Sequence, residues 1–508
     1  METTTPQIAS LDTVLQQILQ DLPLLLPELA LSAGALLAIL GALILPRQWR
    51  HQGLAALSLL AIGGALYLLL KGGLPAEPQY LLGRTLQLDH LAMAFRLLVL
   101  LSGGLAVLFS VRQHKALFAE YYALLLGLLV AANLMPMASN LLLIYLSVET
   151  ASICAYLLTA FSGGRQGAEA GLKYLLFGAV ASAIMLYGMS LLYGFTGTLD
   201  ITAYAFKSGL LSLNIPVLPV LLAALLVLAG FLFKISIVPF HLWAPDAYQG
   251  APLPIAALFS TAPKLAGLAL LLRFLSHFME SGLIFAGLRF DWQLILGALA
   301  IASMLIGNLA AVWQQDVRRL LAYSSIAHSG LLLAGVLVFR ELGYKALLFY
   351  SAIYLLMNFA AFILVSILKA ETGGYLLNDY KGLGSRLPLT SVLVVVVMVA
   401  LTGLPPTAGF TAKLFLFSAL WEGYSSGGSK MLLYLLLTGI ATSVVALFYY
   451  LKIPYYLYMK KAPEGMQLLA TGGRVWERVL ASLLCGLLLV FFFKADWVMN
   501  WINAFTIR

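Results

Sequence analysis

Long apolar stretches recur along almost the whole chain, and each is close to the length of a membrane-spanning helix. Such a helix needs about 20 predominantly apolar residues. The predicted spans lie near residues 24–45, 53–70, 88–110, 121–137, 139–160, 167–194, 217–243, 252–278, 292–313, 319–338, 344–368, 388–419, 431–454 and 475–498. The pattern predicts an all-α polytopic membrane protein with about 14 transmembrane helices.

Composition supports this interpretation. Of the 508 residues, 62% are hydrophobic and only 10% are charged, which excludes a soluble fold. A formal net charge of +9 could indicate nucleic-acid binding in a soluble protein, but membrane proteins carry excess Lys and Arg in their cytoplasmic loops. The first 23 residues contain no Lys or Arg, unlike the start of a cleaved signal peptide, so we expect the first span to be retained.

Loop charges predict the orientation. When successive loops are assigned to alternating sides, fifteen basic residues fall on one side and ten on the other. The side with more basic residues is the cytoplasmic one. Both termini are therefore predicted on the outer side.

Cofactor motifs are sparse. The two cysteines, Cys154 and Cys485, lie far apart in apolar stretches, which argues against a disulfide framework, a four-cysteine zinc site and an iron–sulfur cluster. The sequence contains no P-loop, no HExxH motif and no dinucleotide-binding fingerprint after a strand. The histidines offer no facing pair suited to haem. We expect no cofactor or metal on this chain.

A few ionisable residues fall inside the predicted spans. They are Arg96, Glu149, Lys173, Lys234, Lys264 and Lys413. A charge at a helix centre costs at least about 2.5–3.5 kcal/mol on insertion scales, so such residues normally mark an ion or proton pathway. Arg96 and Lys173 lie near span ends, where the side chain could instead reach the headgroups.

Lysine at the central positions favours protons over a fixed-charge anion site. Burial disfavours the charged form of lysine and a nearby carboxylate restores it, whereas arginine keeps its charge. Lys234, Lys264 and Lys413 could thus gain and lose protons. Sodium coupling stays open, because Glu149 could take part in binding a cation.

Two of the lysine-bearing spans contain helix breakers. Lys234 stands five residues before Pro239, and Lys413 follows Pro405 and Pro406. Proline removes a backbone donor and clashes with the preceding turn, so both spans are predicted to be discontinuous. Paired breaks of this kind mark binding sites in transporters built from repeats.

The breaks also predict an internal repeat. The fourth to eighth spans form one block of five and the ninth to thirteenth form another, with the broken span fourth in each block. Because five is odd, the second block must be inverted in the membrane. The predicted units are an N-terminal three-helix segment (1–120), repeat 1 (121–278), repeat 2 (279–454) and a C-terminal helix segment (455–508).

Histidines offer further relay groups. His328 lies in the tenth span beside Ser324, Ser325 and Ser329, where it could relay protons or simply form packing hydrogen bonds. His241 and Asp246, at a span end, could form a structural clamp or a place of proton uptake.

Several strings resemble the antiporter-like subunits of the membrane arm of respiratory complex I, the NADH:quinone oxidoreductase. They are EAGLKYLLFGAVASAIMLYGMSLLYGFTGT, FKISIVPFHLWAPDAYQGAP, FSTAPKLAGLALLLR, RLLAYSSIAHSG and GLPPTAGFTAKLFLF. The resemblance covers nearly the whole chain. Lys413 stands where M-like members usually have glutamate, and no long C-terminal lateral helix of the L-like kind is expected, so the chain looks like the N-type members.

The resemblance implies roles for individual residues. Glu149 and Lys234 match a glutamate and a lysine that form an ion pair controlling the proton affinity of the lysine. Lys264 matches a connecting lysine, Lys413 an exit-side lysine and Lys173 a further lysine of the N-type members. It also implies a fourteen-helix fold with two inverted repeats, and no flavin, cluster or quinone on the chain itself.

The resulting hypothesis is proton translocation outward across a bacterial inner membrane. It is driven by NADH oxidation and quinone reduction in partner subunits, which hold FMN, iron–sulfur clusters and quinone. The partners implied are the other antiporter-like and small hydrophobic subunits of the membrane arm. A subunit of a multi-subunit Na⁺/H⁺ antiporter, a self-contained secondary transporter and a purely structural subunit remain alternatives.

Overall fold

Helices form nearly all of the ordered structure. The computed structural model describes residues 11–111, 119–212, 217–280, 292–462 and 474–505. Within these ranges, 11 helices are long and apolar enough to cross a membrane. The predicted all-α polytopic class is therefore confirmed.

The helices are as follows in chain order. The first set comprises α1 (Leu11–Asp21), α2 (Leu26–Ile44), α3 (Arg47–Lys71), α4 (His90–Ser110), α5 (Ala119–Leu134), α6 (Leu141–Ala160), α7 (Gly164–Thr196), α8 (Tyr204–Ser212), α9 (Val217–Lys234), α10 (Trp243–Gly250) and α11 (Leu253–Glu280). The second set comprises α12 (Trp292–Trp313), α13 (Val317–Val336), α14 (Glu341–Thr372), α15 (Pro388–Thr402), α16 (Ala408–Ser425), α17 (Lys430–Tyr458), α18 (Val475–Phe493) and α19 (Ala495–Ala504). Short 3₁₀ turns occupy Leu22–Leu25, Met135–Met137 and Leu377–Tyr380, and an antiparallel hairpin pairs β1 (Gln79–Leu81) with β2 (Leu86–Leu88).

Both predicted helix interruptions are present. In the span predicted at 217–243, α9 ends at Lys234, and a separate short helix, α10, begins at Trp243 and continues past the predicted end to Gly250. The span predicted at 388–419 divides into α15 and α16. Each gap contains proline, at Pro239 in the first and at Pro405 and Pro406 in the second. Proline inside a helix is not sufficient by itself, because α11 continues through Pro263.

The same helix start occurs twice along the chain. Asn140 caps α6 by accepting a hydrogen bond from the amide of Leu142, and Asp316 caps α13 in the same way. Each cap residue also forms an isolated antiparallel bridge with the segment after the following helix, Asn140 with Asp200 and Asp316 with Leu376. Both bridges join residues sixty positions apart.

The helices that follow the two caps also match. α7 has 33 residues and α14 has 32, and each ends at a glycine in the left-handed conformation. These are Gly197 (φ 68°) and Gly373 (φ 81°), at a position where a side chain would be strained. The pair α6–α7 thus has a close structural counterpart in α13–α14.

Of the 11 candidate spans, α11 and α14 are the most enclosed. In the most apolar windows of α11 and α14, 94% and 89% of residues are buried. The two helices pack against each other, and α11 also contacts α4, α9 and α13. A charged side chain in the middle of α11 therefore cannot reach lipid headgroups and must find its partners within the protein.

Arg96 does not anchor the chain to headgroups. Its side chain is 1% exposed and forms a bidentate salt bridge with Glu28, with Nη2 at 2.7 Å from Oε1 and 2.9 Å from Oε2. Glu28 lies in the first turn of α2 and so does not stand out in the sequence as an acid deep in a span. The pair joins the first spanning helix to α4.

A second buried arginine joins α11 to α4. Arg273 donates to both carboxylate oxygens of Asp89, at 2.9 and 2.7 Å, and to the carbonyl of Pro136 at 2.6 Å. Asp89 also caps α4 by accepting from the amide of Ala92. Arg273 is one of the ten basic residues that the alternating loops assign to the outer side, at a span end, whereas its side chain is only 2% exposed.

The Arg96–Glu28 pair should dominate the attachment of the first span. We expect Arg96→Met to lower the free energy of unfolding by about 3–5 kcal/mol, because it leaves a carboxylate buried without a countercharge. Adding Glu28→Leu should recover much of this loss. The measurement is the heat-induced exposure of the buried thiols of Cys154 and Cys485 to a thiol-reactive dye in mild detergent.

Arg84 provides a matched control. It pairs with Asp200 at 3.1 Å, but its side chain is 48% exposed, so Arg84→Met should cost at most about 1 kcal/mol. If the variant with both Arg96→Met and Glu28→Leu were less stable than Arg96→Met alone, the role assigned to the Arg96–Glu28 pair would be contradicted.

Candidate functional site

The first helix break is closed by contacts from other segments. The freed amide of Val238 donates to Oγ of Ser303 on α12 at 3.0 Å. The indole of Trp243 at the start of α10 donates to the carbonyl of Phe233, 3.1 Å away near the end of α9. The interrupted backbone is therefore held by protein groups, as membrane burial requires.

Lys234 ends α9 inside the protein. Its side chain is buried, and Nζ donates to Oγ of Ser152 on α6 at 3.1 Å. Glu149, one turn earlier on α6, instead accepts a hydrogen bond of 2.6 Å from Ser182 on α7. The direct Glu149–Lys234 ion pair implied by the resemblance is not formed in this structure, where the polar contact of each side chain is a serine.

Lys264 lies within α11 and faces α13. Its Nζ donates to Oγ of Ser325 at 2.6 Å, to the carbonyl of Ser325 at 3.3 Å and to Oγ of Ser329 at 3.1 Å. Lys264 and both serines are buried. All three hydrogen-bond partners of this lysine are neutral oxygens.

His328 lies on α13 beside this cluster. Its Nδ1 is 2.7 Å from the hydroxyl of Tyr350, and its Nε2 is 3.1 Å from the hydroxyl of Tyr450. The Tyr450 hydroxyl also hydrogen-bonds Ser324. Both ring nitrogens are thus engaged by groups able to donate or accept a proton, an arrangement compatible with relay and with packing alike.

Lys413 lies in the first turns of α16, just past the second break. Its Nζ donates to the carbonyl of Thr402 at 2.7 Å and to Oγ of Ser443 on α17 at 3.1 Å. Thr402 is the last residue of α15, so the helix end supplies an acceptor carbonyl to the lysine. The second break therefore takes part directly in binding the ammonium group.

Lys173 and Asp246 meet away from these buried lysines. Nζ of Lys173 lies 2.9 Å from Glu169 and 3.2 Å from Asp246, and the side chain is 44% exposed. Asp246 on α10 also binds Nη1 of Arg319 on α13, at 2.5 Å. The carboxylate thus connects α7, α10 and α13 at the end of the broken span.

Two neighbours complete this polar region. Gln249 on α10 bonds Arg319 at 3.0 Å and Asp316 at 3.2 Å. His241, between α9 and α10, is buried, and its Nδ1 has no hydrogen-bond partner within the part of the chain that the structure describes. Asp246 makes the contacts of a clamp, whereas His241 makes none at Nδ1.

The sequence identified the lysines but not most of their partners. Hydropathy and the cost of buried charge single out Lys234, Lys264 and Lys413, and the serines beside His328 were visible in the sequence. Ser152 and Ser443 carry no such signal, because hydroxyls are common in spanning helices. Tyr248 and Tyr354, which contact Ser325, were missed for the same reason.

The arrangement can carry protons between discrete groups. Each central lysine reaches hydroxyl or carbonyl oxygens at hydrogen-bond distance, and hydroxyls can accept and donate at once. Within the described residues no cluster of three or more His, Cys, Asp or Glu could hold a metal ion. Within each cluster, hydrogen bonds link the lysine to groups that can accept its protons.

Comparison with known families places the site in context. The family described as NADH:quinone oxidoreductase/Mrp antiporter, transmembrane region, matches residues 138–441. A curated relative, NADH-quinone oxidoreductase subunit N of Chlorobium chlorochromatii (strain CaD3), is 39% identical over 495 residues, covering 96% of this chain and 94% of the relative.

Solved structures give the same picture. A chain of respiratory complex I from Thermus thermophilus with bound Aureothin is 30% identical, with a TM-score of 0.75 over 94% of this chain and 99% of that chain. A chain of the Mrp complex from Dietzia sp. DQ12-45-1b has a TM-score of 0.76 at 21% identity, over 94% of this chain and 97% of that chain. The latter likeness concerns the fold alone.

The second break leaves no room for a side chain at Gly403. A Cβ there would lie 2.5 Å from Cδ of Lys413, and the residue has φ +83°. We expect Gly403→Ala to lower the free energy of unfolding by about 1–3 kcal/mol through backbone strain and to displace Lys413. Thermal unfolding in detergent measures the effect.

A combination of variants separates the two contributions. In a Lys413→Ala background the clash is gone, so the cost of Gly403→Ala should shrink to its backbone part. Gly486 on α18 has open space around it, and Gly486→Ala should change stability by less than about 1 kcal/mol. An equal cost of Gly403→Ala in both backgrounds would show that the side-chain clash is unimportant.

Proposed function

Because the chain belongs to the NADH:quinone oxidoreductase/Mrp antiporter family, we propose that it is a proton-translocating membrane-arm subunit of an NADH:quinone oxidoreductase. The observation that carries this proposal is the set of three buried lysines, Lys234, Lys264 and Lys413, bound by neutral oxygens. Lysine is the basic residue that burial most readily brings to a reversible protonation state.

In this proposal the redox chemistry belongs to partner subunits. FMN, iron–sulfur clusters and quinone are held there, and the energy released by quinone reduction drives proton movement in this chain. The partners are the other antiporter-like and small hydrophobic subunits of the membrane arm. Support comes from the near-complete coverage of both a curated subunit N and a chain of a solved respiratory complex I.

The proposed path runs from the cytoplasmic side to the outer side. Protons are taken up near the polar region around Asp246, load Lys234 and Lys264, and leave through Lys413. His328 lies between the last two lysines as a relay, since it shares α13 with the serines that bind Lys264. Lys173 and His241 are accessory groups at the uptake end.

Glu149 controls the first lysine in this scheme. A carboxylate that approaches an ammonium stabilises its charged form, and withdrawal of the carboxylate removes that stabilisation. In this structure Glu149 is bound by Ser182 and Lys234 by Ser152, which corresponds to the open arrangement of the pair. Closure would bring the carboxylate to ion-pair distance of the ammonium, and both serine hydrogen bonds could be kept, because Lys234 has two further N–H groups and Glu149 a second oxygen.

The proposed topology has fourteen spans. The 11 candidate spans, α13 and the two interrupted segments α9–α10 and α15–α16 together account for that number. The matching caps, bridges and left-handed glycines support two repeats. We place the protein in the inner membrane of a bacterium, with both termini on the outer side.

A subunit of a multi-subunit Na⁺/H⁺ antiporter is a second candidate. The observation that favours it is the fold likeness to a chain of the Mrp complex, together with the shared family description. The first proposal is preferred because the curated subunit N is 39% identical over nearly the full length.

Lys234→Ala in the intact complex tests the proposed path. We expect NADH-driven proton pumping to fall by about tenfold or more, because a positioned proton carrier is removed. The assembled complex should still contain its partner subunits. The measurement is the initial rate of acidification in inverted vesicles or proteoliposomes, normalised to the amount of complex.

Lys430→Ala is the matched control. Lys430 is an exposed residue at the start of α17, and its removal should leave pumping unchanged. Unimpaired pumping by assembled Lys234→Ala complex would contradict the assigned role of Lys234. Lys234→Arg, which keeps the charge but does not release its proton, should be as inactive as the alanine variant.

Copurification distinguishes the two candidate functions. The tagged chain, solubilised in mild detergent, is expected to bring flavin and iron–sulfur subunits together with other antiporter-like subunits, identified by mass spectrometry. Recovery with small hydrophobic antiporter subunits and no redox partners would instead identify an ion exchanger.

A further inference from the structure

The hydroxyl of Ser325 is hydrogen-bonded to three other side chains in the buried core around Lys264. Its Oγ lies 2.6 Å from Nζ of Lys264, 2.9 Å from the hydroxyl of Tyr354 and 3.2 Å from the hydroxyl of Tyr248. All four side chains are fully enclosed. Three helices, α10, α11 and α14, thus meet at one hydroxyl group of α13.

Counting donors and acceptors fixes the direction of these hydrogen bonds. A serine hydroxyl has one proton to donate and two lone pairs to accept with. Protonated Lys264 can only donate, and Tyr354 donates to Ser325 in this geometry. Both lone pairs of Ser325 are then filled, so its single proton points to the hydroxyl of Tyr248.

Loss of the lysine proton must change this pattern. Protonated Lys264 uses its three N–H groups on Ser325 Oγ, the Ser325 carbonyl and Ser329 Oγ. A neutral amine has two donors and one lone pair. That lone pair needs a donor, and Ser325 can supply one by turning its proton away from Tyr248, whereas the hydroxyl of Ser329 already donates to the Ser325 carbonyl at 2.9 Å.

We propose that Ser325 is a positioning residue that transmits the protonation state of Lys264 to Tyr248 on α10, the second part of the first broken span. This inference rests on the proposed function and assigns a coupling element within it. When Lys264 holds its proton, Ser325 donates to Tyr248; when Lys264 is neutral, Ser325 donates to Lys264, and the lone pair that the ammonium has vacated accepts from Tyr248, so that Tyr248 changes from acceptor to donor.

Tyr248 lies on the same short helix as the polar residues at the uptake end. The next residue, Gln249, bonds Arg319 and Asp316, and Asp246 on the same short helix binds Lys173 and Arg319. A change at Tyr248 therefore acts on the helix that carries the polar region of the uptake end. Protonation of Lys264 would in this way affect the polar region around Asp246, where protons are taken up.

The matching helix starts add an independent argument. Ser325 lies nine residues after its cap residue, Asp316, and Glu149 lies nine residues after its cap residue, Asn140. Ser325 therefore occupies the place in α13 that the carboxylate occupies in α6. A hydroxyl at this place can reverse its role as donor and acceptor when its lysine partner changes charge, which a carboxylate cannot do.

Other titratable groups lie around Lys264 and must be kept constant in a test. They are His328 on α13, Tyr354 and Tyr350 on α14, Tyr248 on α10, Lys234 on α9, Glu149 on α6 and, towards the far end of α11, Arg273 with Asp89 of α4. The pH profiles compare substitutions at Ser325, Ser329 and Tyr248 only, and none of these alters a formal charge.

The experiment compares pH profiles of proton pumping by the intact complex. Tyr248→Phe removes the acceptor that Ser325 uses while Lys264 is protonated, so the midpoint of the profile should move to lower pH by about one unit, the size expected for one hydrogen bond linked to a charged group. In a Ser325→Ala background the same substitution should cause no further shift, because the connection is already lost.

Ser329→Ala is the matched control background. Ser329 also accepts from Lys264 but is not part of the route to Tyr248, so Tyr248→Phe should shift the midpoint there as it does in the unmodified protein. An equal shift in the Ser325→Ala background, or no shift in the unmodified protein, would overturn the inference. If Ser325→Ala fails to assemble, Ser325→Thr and Ser325→Val form a second pair: only the threonine variant should respond to Tyr248→Phe.

This outcome is separable from failure of the proposed function. Retained pumping in assembled Lys264→Ala complex would contradict the proposed path itself. Loss of pumping in Lys264→Ala, combined with additive effects of Ser325→Ala and Tyr248→Phe, would leave the path intact and reject only the coupling through Ser325.

Discussion

The structure depends on how a cation is accommodated inside a membrane protein, where an unpaired charge is costly. Two solutions occur. Arg96 and Arg273 are each held by a carboxylate in a bidentate salt bridge, so the charges cancel permanently. Lys264 and Lys413 are held by hydroxyl and carbonyl oxygens, which bind the ammonium without a countercharge. The arginines therefore fasten helices together, whereas these lysines can change charge without leaving a carboxylate unpaired.

The broken helices follow from the same constraint. An intact helix uses its carbonyls internally, so it has few acceptors to offer a buried ammonium. At the second break, the carbonyl of Thr402 is free to bind Lys413. At the first break, the freed amide of Val238 is satisfied by Ser303, and α9 ends at Lys234. Each interruption thus places a lysine beside polar backbone groups without exposing these groups to lipid.

The fold class, the two interruptions and the buried lysines are predictable from the sequence, because the bilayer imposes each of them on residue types that are easy to recognise. The hydrogen-bond partners of the lysines are not predictable in this way. Glu149 and Ser152 lie one turn apart on the same face of α6, so which of them Lys234 meets depends on where the lysine lies along the helix axis, which the sequence does not specify. Glu28 escaped notice because it stands at the start of a span, where an acid is unremarkable until Arg96 is found opposite it.

The first broken span also joins the two halves of the chain. At the break, Val238 binds Ser303 of α12; on α10, Asp246 binds Arg319 of α13 and Tyr248 meets Ser325 of α13. Because the three contacts are spread along one interrupted segment, α10 cannot shift without disturbing at least one of them. Lys264 and Tyr248 share the hydroxyl of Ser325. A change of charge on Lys264 therefore alters hydrogen bonds both in α10 and in α13.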